Sequence, residues 1–323
     1  MQTGTERAPT VSHGHGAARR FFDTFRGHPT LQPPTPPGAP MPRKPARVRT
    51  SELRQWYVVL SSQASHYFRT NRFLGLLGFV VAISCLTLAF EFQVGPAVVR
   101  QVQLGKVSEY LSNFITYTGL WIILAAAFFG GDALSVDFST GTGYYMLVLP
   151  VHRRTLLAGR YASATIATLA IVLVYFAFAI LGASYFFGLG AVPWHRVGLA
   201  LGLAVIYTLA AVSVAFCISA FLRSPSAGVL ATILSLYVGF TTLQATVELA
   251  RYEPWWSLTY AGNAMAAALD TDFVHLTSIP VGSGQYTTQW MATTGEGAAI
   301  MTGYLLVFFV LSLYLYSRKE ATG

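Results

Sequence analysis

Charged residues are scarce in this sequence of 323 residues: Asp, Glu, Lys and Arg make up 11% of it, whereas 54% of its residues are hydrophobic. A soluble globular domain carries about 25% charged residues. A globule of this size cannot hide so much apolar surface in one core, because the surface of a folded chain falls only slowly relative to its mass. The composition therefore predicts a protein that exposes apolar surface to lipid.

Cysteine is nearly absent as well. The two that occur, Cys85 and Cys217, both lie inside long apolar runs. This excludes a disulfide framework or a cysteine metal site, and we expect both to be small buried hydrophobes. The net charge is +8, but the bases are spread along the chain and many flank apolar runs, so we predict no nucleic-acid partner.

Several enzyme motifs are missing. The sequence contains no H-E-x-x-H, and its seven histidines are scattered, so a metal site is not expected. Ser283 lies between two glycines in a predicted loop, without the strand-to-helix elbow of a serine nucleophile. Gly105-Lys106 lacks the first glycine and the following serine or threonine of a phosphate-binding loop. We therefore predict no catalytic, cofactor-binding or metal-binding residue, and no ATP binding of that kind by this chain.

The N-terminal tail, residues 1–50, differs from the rest of the chain. Its segment LQPPTPPGAPMPRKP places a proline at every second or third position, which prevents both a helix and a strand ladder. The tail contains no apolar signal-peptide region. We expect a disordered, basic, cytosolic tail followed by a transmembrane domain over residues 51–323.

Long apolar runs dominate the remaining chain. Residues 51–72 form an amphipathic pattern with steps of three and four, which favours a helix lying in the membrane interface. Six runs follow, each long enough to cross about 30 Å as a helix. They cover residues 73–90, 111–131, 155–187, 197–222, 227–247 and 298–316. These runs predict an all-α membrane protein with six transmembrane helices, of which the third is long enough to extend beyond the bilayer.

The distribution of basic residues favours one orientation. With the N-terminus inside, most of the bases outside the tail fall on the cytosolic side: Arg54, Arg69, Arg72, Arg153, Arg154, Arg160, Arg223, Arg318 and Lys319. The positive-inside rule therefore places both termini in the cytosol. The runs carry no ionisable residue near their centres, since Glu91 and Glu248 lie at run ends, and this argues against a proton-coupled carrier.

The longest outer segment covers residues 248–297. Leu258, Ala261, Met265 and Leu269 repeat at helical spacing, so we expect a short helix on the outer surface. The following sequence VGSGQYTTQW is predicted to be a loop.

The central loop, residues 130–160, joins the second and third runs and faces the cytosol in this topology. Asp132 and Asp137 open it, and Gly141-Thr142-Gly143 permits a sharp reversal because glycine accepts positive φ. The next residues, including Tyr144, Leu147 and Val148 on one helical face and Pro150 at the start of the next helix, predict a short amphipathic helix.

A basic helix is expected to follow, because Arg153 and Arg160 share a face and Arg154 adds a third base. These elements can dock in a groove of a cytosolic partner and transmit movement to the membrane helices. Alternatively, the bases only anchor the loop to anionic lipid and enforce the topology. The residues themselves do not distinguish these interpretations.

The central loop resembles a known family. The sequence D-A-L-S-x-D-F-x-T-G-T-G-Y, followed by L-P-V-x-R and L-L-A-G-R-Y-A-S, is similar to the permease subunit of ABC-2 type transporters. The matching residues are Asp132, Asp137, Gly141, Thr142, Pro150, Val151, Arg153, Gly159 and Arg160. The six-run order and the short Arg223-Ser224-Pro225 turn agree with it, whereas Arg160 stands where lysine is common.

The resemblance implies a permease of the cytoplasmic (plasma) membrane that moves, in the export direction, a substrate that the sequence does not identify. Two six-helix halves, identical or paralogous, would pair in the lipid, and each would dock a separate ATPase subunit that carries the ATP and Mg. This chain would not itself be an enzyme. The expected ATPase-coupling residues are Asp132, Asp137, Gly141, Thr142, Tyr144, Pro150, Arg153, Arg154, Gly159, Arg160 and Arg223. Alternatives are an ATPase-independent carrier or channel, and a membrane assembly protein that transports nothing.

Overall fold

A computed structural model describes residues 52–102, 105–136, 153–271, 273–280 and 286–318. The predicted tail lies outside the described residues, and so does the amphipathic coupling helix. The same holds for five of the expected coupling residues: Asp137, Gly141, Thr142, Tyr144 and Pro150. Their structural roles therefore stay predictions.

The described chain begins with five helices: α1 Glu52–Arg69, α2 Asn71–Val94, α3 Pro96–Val102, α4 Val107–Ile115 and α5 Thr118–Gly130. The extended backbone of Thr70, with φ −77° and ψ 137°, separates α1 from α2. Gly95 ends α2 at a φ of 91°, a conformation that favours glycine, and Pro96 then begins α3. These breaks divide residues 52–102 into three separate helices.

From residue 153 onward, the described residues form seven α-helices: α6 Arg153–Phe187, α7 Trp194–Phe221, α8 Pro225–Ile233, α9 Phe240–Leu249, α10 Leu258–Gly262, α11 Ala264–Ala267 and α12 Thr294–Arg318. A π-helical segment, Leu234–Gly239, makes α8 and α9 continuous. Pro225 occupies the first turn of α8, where its missing N–H is tolerated. The predicted short turn after the fourth apolar run is therefore present.

The described residues contain six helices that are long and apolar enough to cross a membrane: Asn71–Val94, Val107–Gly130, Arg154–Phe187, Trp194–Phe221, Pro225–Leu249 and Thr294–Arg318. We refer to them as the first to sixth long helices. Each predicted run overlaps one of them, which confirms the prediction of six helices. The chain is thus compatible with a multi-pass membrane protein.

The segment after the fifth long helix departs from the sequence prediction in two ways. Leu258 and Met265 do lie in short helices, but both are almost fully buried, so these helices pack into the bundle and do not lie on its surface. Residues 286–290 were predicted to be a loop, yet β2 Tyr286–Trp290 pairs antiparallel with β1 Leu276–Pro280. Threonine, tyrosine and tryptophan favour this extended conformation. The regular structure of the other described residues is helical, as predicted.

The fourth long helix forms the centre of the bundle. In its most apolar stretch of 18 residues, 67% of the residues are buried, against 17% in the fifth long helix and 11% in the sixth. Small residues line its buried face, so its neighbours approach closely: Ala200, Ala204, Ala210, Ala211 and Ala215.

The two cysteines differ in burial. Cys217, on the fourth long helix, is buried as predicted, whereas the prediction for Cys85 is wrong because its position on the first long helix faces outward. Both cysteines are free.

Candidate functional site at the base of the central loop

The candidate site is a short turn, residues 131–136, which we call the junction turn. It follows the end of α5 and forms the first part of the central loop. A hydrogen bond from the Val136 N–H to the Asp132 carbonyl, at 3.1 Å, closes it. Asp132, Leu134 and Ser135 are buried. A buried turn must satisfy its polar groups with partners from the surrounding protein.

Asp132 forms an ion pair with Arg72, in the first turn of the first long helix. Burial raises the pKa of the Asp132 carboxyl, and the positive charge of Arg72 opposes that rise. The Arg72 side chain remains 54% exposed, so the pair lies at the edge of the protein. The ion pair joins the junction turn to the start of the first long helix.

Ser219, near the end of the fourth long helix, binds the backbone of the junction turn. Its Oγ accepts hydrogen bonds from the N–H groups of Leu134, at 3.1 Å, and Ser135, at 3.2 Å. The Ser135 hydroxyl donates to the Asp132 carbonyl at 3.2 Å. One serine therefore satisfies two buried N–H groups, much as a capping side chain satisfies the start of a helix.

Arg160 contacts the junction turn from the third long helix. Its guanidinium is buried and donates from one terminal nitrogen to the carbonyl of Ala133 at 3.1 Å. The sequence predicted that Arg160 lies on the same helical face as Arg153. The structure places Arg160 inside the protein, where it joins the third long helix to the junction turn.

Two glycines allow close backbone approach at the junction turn. A Cβ atom on Gly228, in the fifth long helix, would lie 2.0 Å from the carbonyl oxygen of Gly131. A Cβ on Gly130 would lie 2.9 Å from Cβ of Ala215. Side chains at these positions would force the helices apart. The fifth long helix therefore packs directly against the backbone where the central loop begins.

Gly159 has a similar role on the third long helix. A Cβ there would lie 2.7 Å from Cγ1 of Val59 on α1. The Tyr67 hydroxyl, also on α1, donates to the carbonyl of Phe129 at 3.0 Å. Helix α1 thus packs against both the third long helix and the end of the second, beside the junction turn.

Two further coupling candidates, Arg154 and Arg223, lie outside this buried cluster. Arg153 begins α6, and the side chain of Arg154 is exposed one residue later. Arg223 is exposed in the short connection between α7 and α8. The structure therefore separates the expected coupling residues into a buried group (Asp132, Gly159 and Arg160) and surface bases (Arg154 and Arg223).

Sequence reasoning missed Arg72, Ser219 and Gly228 as partners of the junction turn. Arg72 was counted only as a charge that sets the topology, and Gly228 was not singled out from the small residues after Pro225. Ser219 carried no sequence signal, because a serine inside an apolar helix usually bonds its own helix. Its contact with the turn depends on how two distant helices pack.

A cavity of about 600 Å³ lies elsewhere, between the first, second and third long helices. Aromatic side chains form much of its wall: Phe79, Phe114, Tyr117, Trp121 and Tyr175. Glu91 also lines it and accepts a hydrogen bond from the Tyr110 hydroxyl at 2.8 Å. The cavity thus combines a wide aromatic surface with one carboxyl group.

The comparisons with known proteins identify a family but no activity. A family model described as "Protein of unknown function (DUF2705)" matches residues 77–322. The matched region contains all six long helices, apart from the first turns of the first one, together with the junction turn. No curated protein matches the chain. Since the match covers well over half of the sequence, the chain belongs to the DUF2705 family.

Proposed function

We propose that this protein is the permease subunit of an ABC-2 type ABC transporter in the cytoplasmic membrane. Both termini and the central loop face the cytosol in this proposal. A separate ATPase subunit binds ATP and Mg and docks on the central loop. The permease uses the resulting movement to carry a substrate across the membrane, in the export direction.

The junction turn carries the proposal. The three buried residues that match the transporter motif, Asp132, Gly159 and Arg160, lie in or beside it. Residues of the first, third, fourth and fifth long helices contact the turn, which itself continues the second. A protein that only anchors its loop to lipid does not need this arrangement, because surface bases suffice for topology.

The arrangement supports a specific mechanism. An ATPase that displaces residues 137–152 pulls on the junction turn, because the turn is their direct continuation. The Asp132–Arg72 ion pair and the Arg160–Ala133 hydrogen bond pass the displacement to the first and third long helices. Close backbone packing at Gly228 passes it to the fifth. Packed elements transmit such movements because a close-packed interior is hardly compressible.

A second six-helix subunit, either another copy or a paralogue, completes the proposed transporter. The fifth and sixth long helices are largely exposed along the described chain and present apolar side chains outward: Leu230, Leu234, Leu243, Leu306, Val307 and Val310. Lipid and a second subunit both suit such surfaces. A substrate path between two halves would then be lined by helices that the junction turn controls.

Copurification tests the proposal. The full-length chain, tagged and expressed in its native cell, is extracted in mild detergent, and the bound proteins are identified by mass spectrometry. We expect an ATP-hydrolysing subunit in stoichiometric amount. The double variant Asp137→Asn, Arg153→Gln should reach the membrane in normal quantity but lose the ATPase subunit or the ATP-driven transport.

Arg251→Gln is the matched control, because Arg251 follows the fifth long helix at the opposite end of the bundle. It should retain both the ATPase subunit and transport. Normal ATP-driven transport by the double variant would contradict the coupling role. Failure of the wild-type chain to bind any ATPase would contradict the proposal as a whole.

The cavity beside Glu91 supports a second candidate, an ATPase-independent carrier or channel. Glu91 lies in the last turn of the first long helix, as the sequence predicted, and a carboxyl group that lines an apolar cavity can mark an ion or substrate path. This candidate predicts transport into vesicles under an ion gradient without nucleotide, and its loss in Glu91→Gln. A chain that moves no solute with or without an ATPase would instead be an assembly protein.

A further inference from the structure

Three potential metal ligands come together at the end of the bundle opposite the junction turn. Glu253 follows the fifth long helix, His275 directly precedes β1, and Glu296 lies in the first turn of the sixth long helix. One ligand atom of each lies within 4.8 Å of the others. The histidines are scattered along the sequence, so no metal site was expected, and only the fold brings these residues together.

The geometry of His275 suits a metal ligand. Its Nδ1 lies 2.8 Å from the carbonyl oxygen of Met291. A carbonyl can only accept, so Nδ1 carries the proton and donates it, which leaves the lone pair of the neutral ring on Nε2. Nε2 faces Glu253, 3.4 Å from its Oε1. Histidine ligands of metals commonly donate their other ring N–H to a carbonyl in this manner.

Glu253 is held in position by a buried tyrosine. The Tyr260 hydroxyl donates to Oε1 of Glu253 at 2.7 Å. The phenol hydroxyl is the donor and the carboxyl oxygen is the acceptor, so this bond fixes the orientation of the Glu253 carboxyl group.

Glu296 is fixed by the start of the sixth long helix. Its Oε2 accepts from the N–H of Thr293 at 3.4 Å, and its own N–H donates to Oγ1 of Thr293 at 3.3 Å. This reciprocal pair is a capping box. The cluster thus combines two carboxylates and one imidazole, and two carboxylates in such proximity repel each other unless a proton or cation lies between them.

We propose that Glu253, His275 and Glu296 bind a divalent transition-metal ion of the Zn²⁺ class, with water at the fourth position. Imidazole and carboxylate ligands suit Zn²⁺, whereas Ca²⁺ and Mg²⁺ prefer oxygen ligands alone. Ligand distances of about 2.0–2.2 Å keep the ligand atoms within about 4.4 Å of each other, so small side-chain rotations complete the site. The ion would tie the hairpin to the fifth and sixth long helices, and this proposal is independent of the transport proposal.

Direct metal titration tests the site. The full-length protein, purified in detergent with a tag that lacks histidine, is stripped with a chelator and titrated with Zn²⁺ by calorimetry. Cobalt(II) serves as a spectroscopic probe of four-coordinate geometry. His13 and His15 in the N-terminal tail are both changed to alanine in every sample, because their H-G-H spacing offers a separate weak Zn²⁺ site.

We expect one Zn²⁺ per chain. His275→Ala and Glu296→Gln should weaken its affinity at least tenfold, and Glu296→Gln keeps the capping box because glutamine also serves at that position. Tyr260→Phe should weaken it about 10-fold, the lower limit for losing a group that orients a ligand. His195→Ala and Glu109→Gln are the matched controls and should bind Zn²⁺ like the parent protein.

Any of three results would overturn the metal site. The first is the absence of saturable Zn²⁺ binding by a well-folded, monodisperse parent protein, and the second is equal binding by Glu296→Gln and the parent. The third is a pH-dependent stability that His275→Ala abolishes while Zn²⁺ has no effect on the parent. That third result would assign the cluster to an ion pair between protonated His275 and Glu253.

Discussion

Arg72 and Asp132 are 60 residues apart in the sequence, yet their side chains form an ion pair at the start of the central loop. The pair joins the first long helix to the turn that follows the second. Its two members differ in exposure, because Asp132 is buried whereas about half of the Arg72 side chain is open to solvent. This asymmetry determines how each partner should respond to substitution.

Replacement of Arg72 by glutamine should destabilise the protein by about 1–2 kcal/mol. The loss of a fully buried partner costs about 3–5 kcal/mol, and the exposure of Arg72 reduces that figure because water screens the charge. Thermal unfolding in detergent measures the effect. Arg69→Gln, which removes an exposed arginine three residues earlier, should change stability by less than about 0.5 kcal/mol. Equal losses in both variants would contradict a special role for Arg72.

Asp132→Asn should change the pH dependence of stability. The pKa of Asp132 is raised in the folded protein, so its protonated form is favoured there relative to the unfolded chain. Its contribution to stability therefore falls as pH rises from the ordinary value of 3.8 through the folded pKa. Melting temperatures between pH 4 and neutrality should show the stability of wild type, relative to Asp132→Asn, decreasing with pH. An increase would mean that Arg72 outweighs burial.

Gly159→Ala should destabilise the packing of α1 against the third long helix by about 1–3 kcal/mol, because the new methyl group overlaps Val59. The double variant with Val59→Ala should recover part of that loss, since it removes the overlapping atom. Gly202→Ala is the control, because nothing lies within 4 Å of a Cβ at that helical position. It should be neutral or stabilise by about 0.5–1 kcal/mol. Additive effects at positions 59 and 159 would contradict the contact.

Gly228→Ala should be more damaging than Gly159→Ala, with a loss of about 3 kcal/mol or more. The Cβ would meet the backbone carbonyl of Gly131, which cannot rotate away as a valine side chain can. Protein yield in membranes and thermal unfolding together measure the effect. Gly303→Ala, in an open position of the sixth long helix, should behave like wild type. A mild effect at Gly228 would show that the fifth long helix packs less closely than described.

Ser219→Ala should cost about 1–3 kcal/mol, because it leaves two buried N–H groups of the junction turn without their acceptor. Ser312→Ala is a matched control: that serine is also buried, but its hydroxyl donates to the carbonyl of Phe309 in its own helix. Its removal should cost less than about 1 kcal/mol. The difference in melting temperature between the two variants isolates the contribution of the turn contact, and the absence of any difference would argue against it.

Much of the helical architecture was predictable because the formation of each helix depends on residues that are neighbours in the sequence. Each long helix is a run of about twenty apolar residues, and in lipid such a run satisfies its backbone only as a helix. The boundaries follow from glycine and proline, as at Gly95, Pro96 and Pro225. The hairpin was missed because strand formation in Tyr286–Trp290 requires a partner strand, which the local pattern does not reveal.

The sequence by itself determined the number, length and order of the apolar helices, since hydrophobicity and chain breaks act over neighbouring residues. Only the tertiary structure decided that Arg160 points inward, that Ser219 binds the junction turn, and that Glu253, His275 and Glu296 meet. Those contacts depend on the spacing and rotation of packed helices, which small residues such as Gly228 set through close backbone approach.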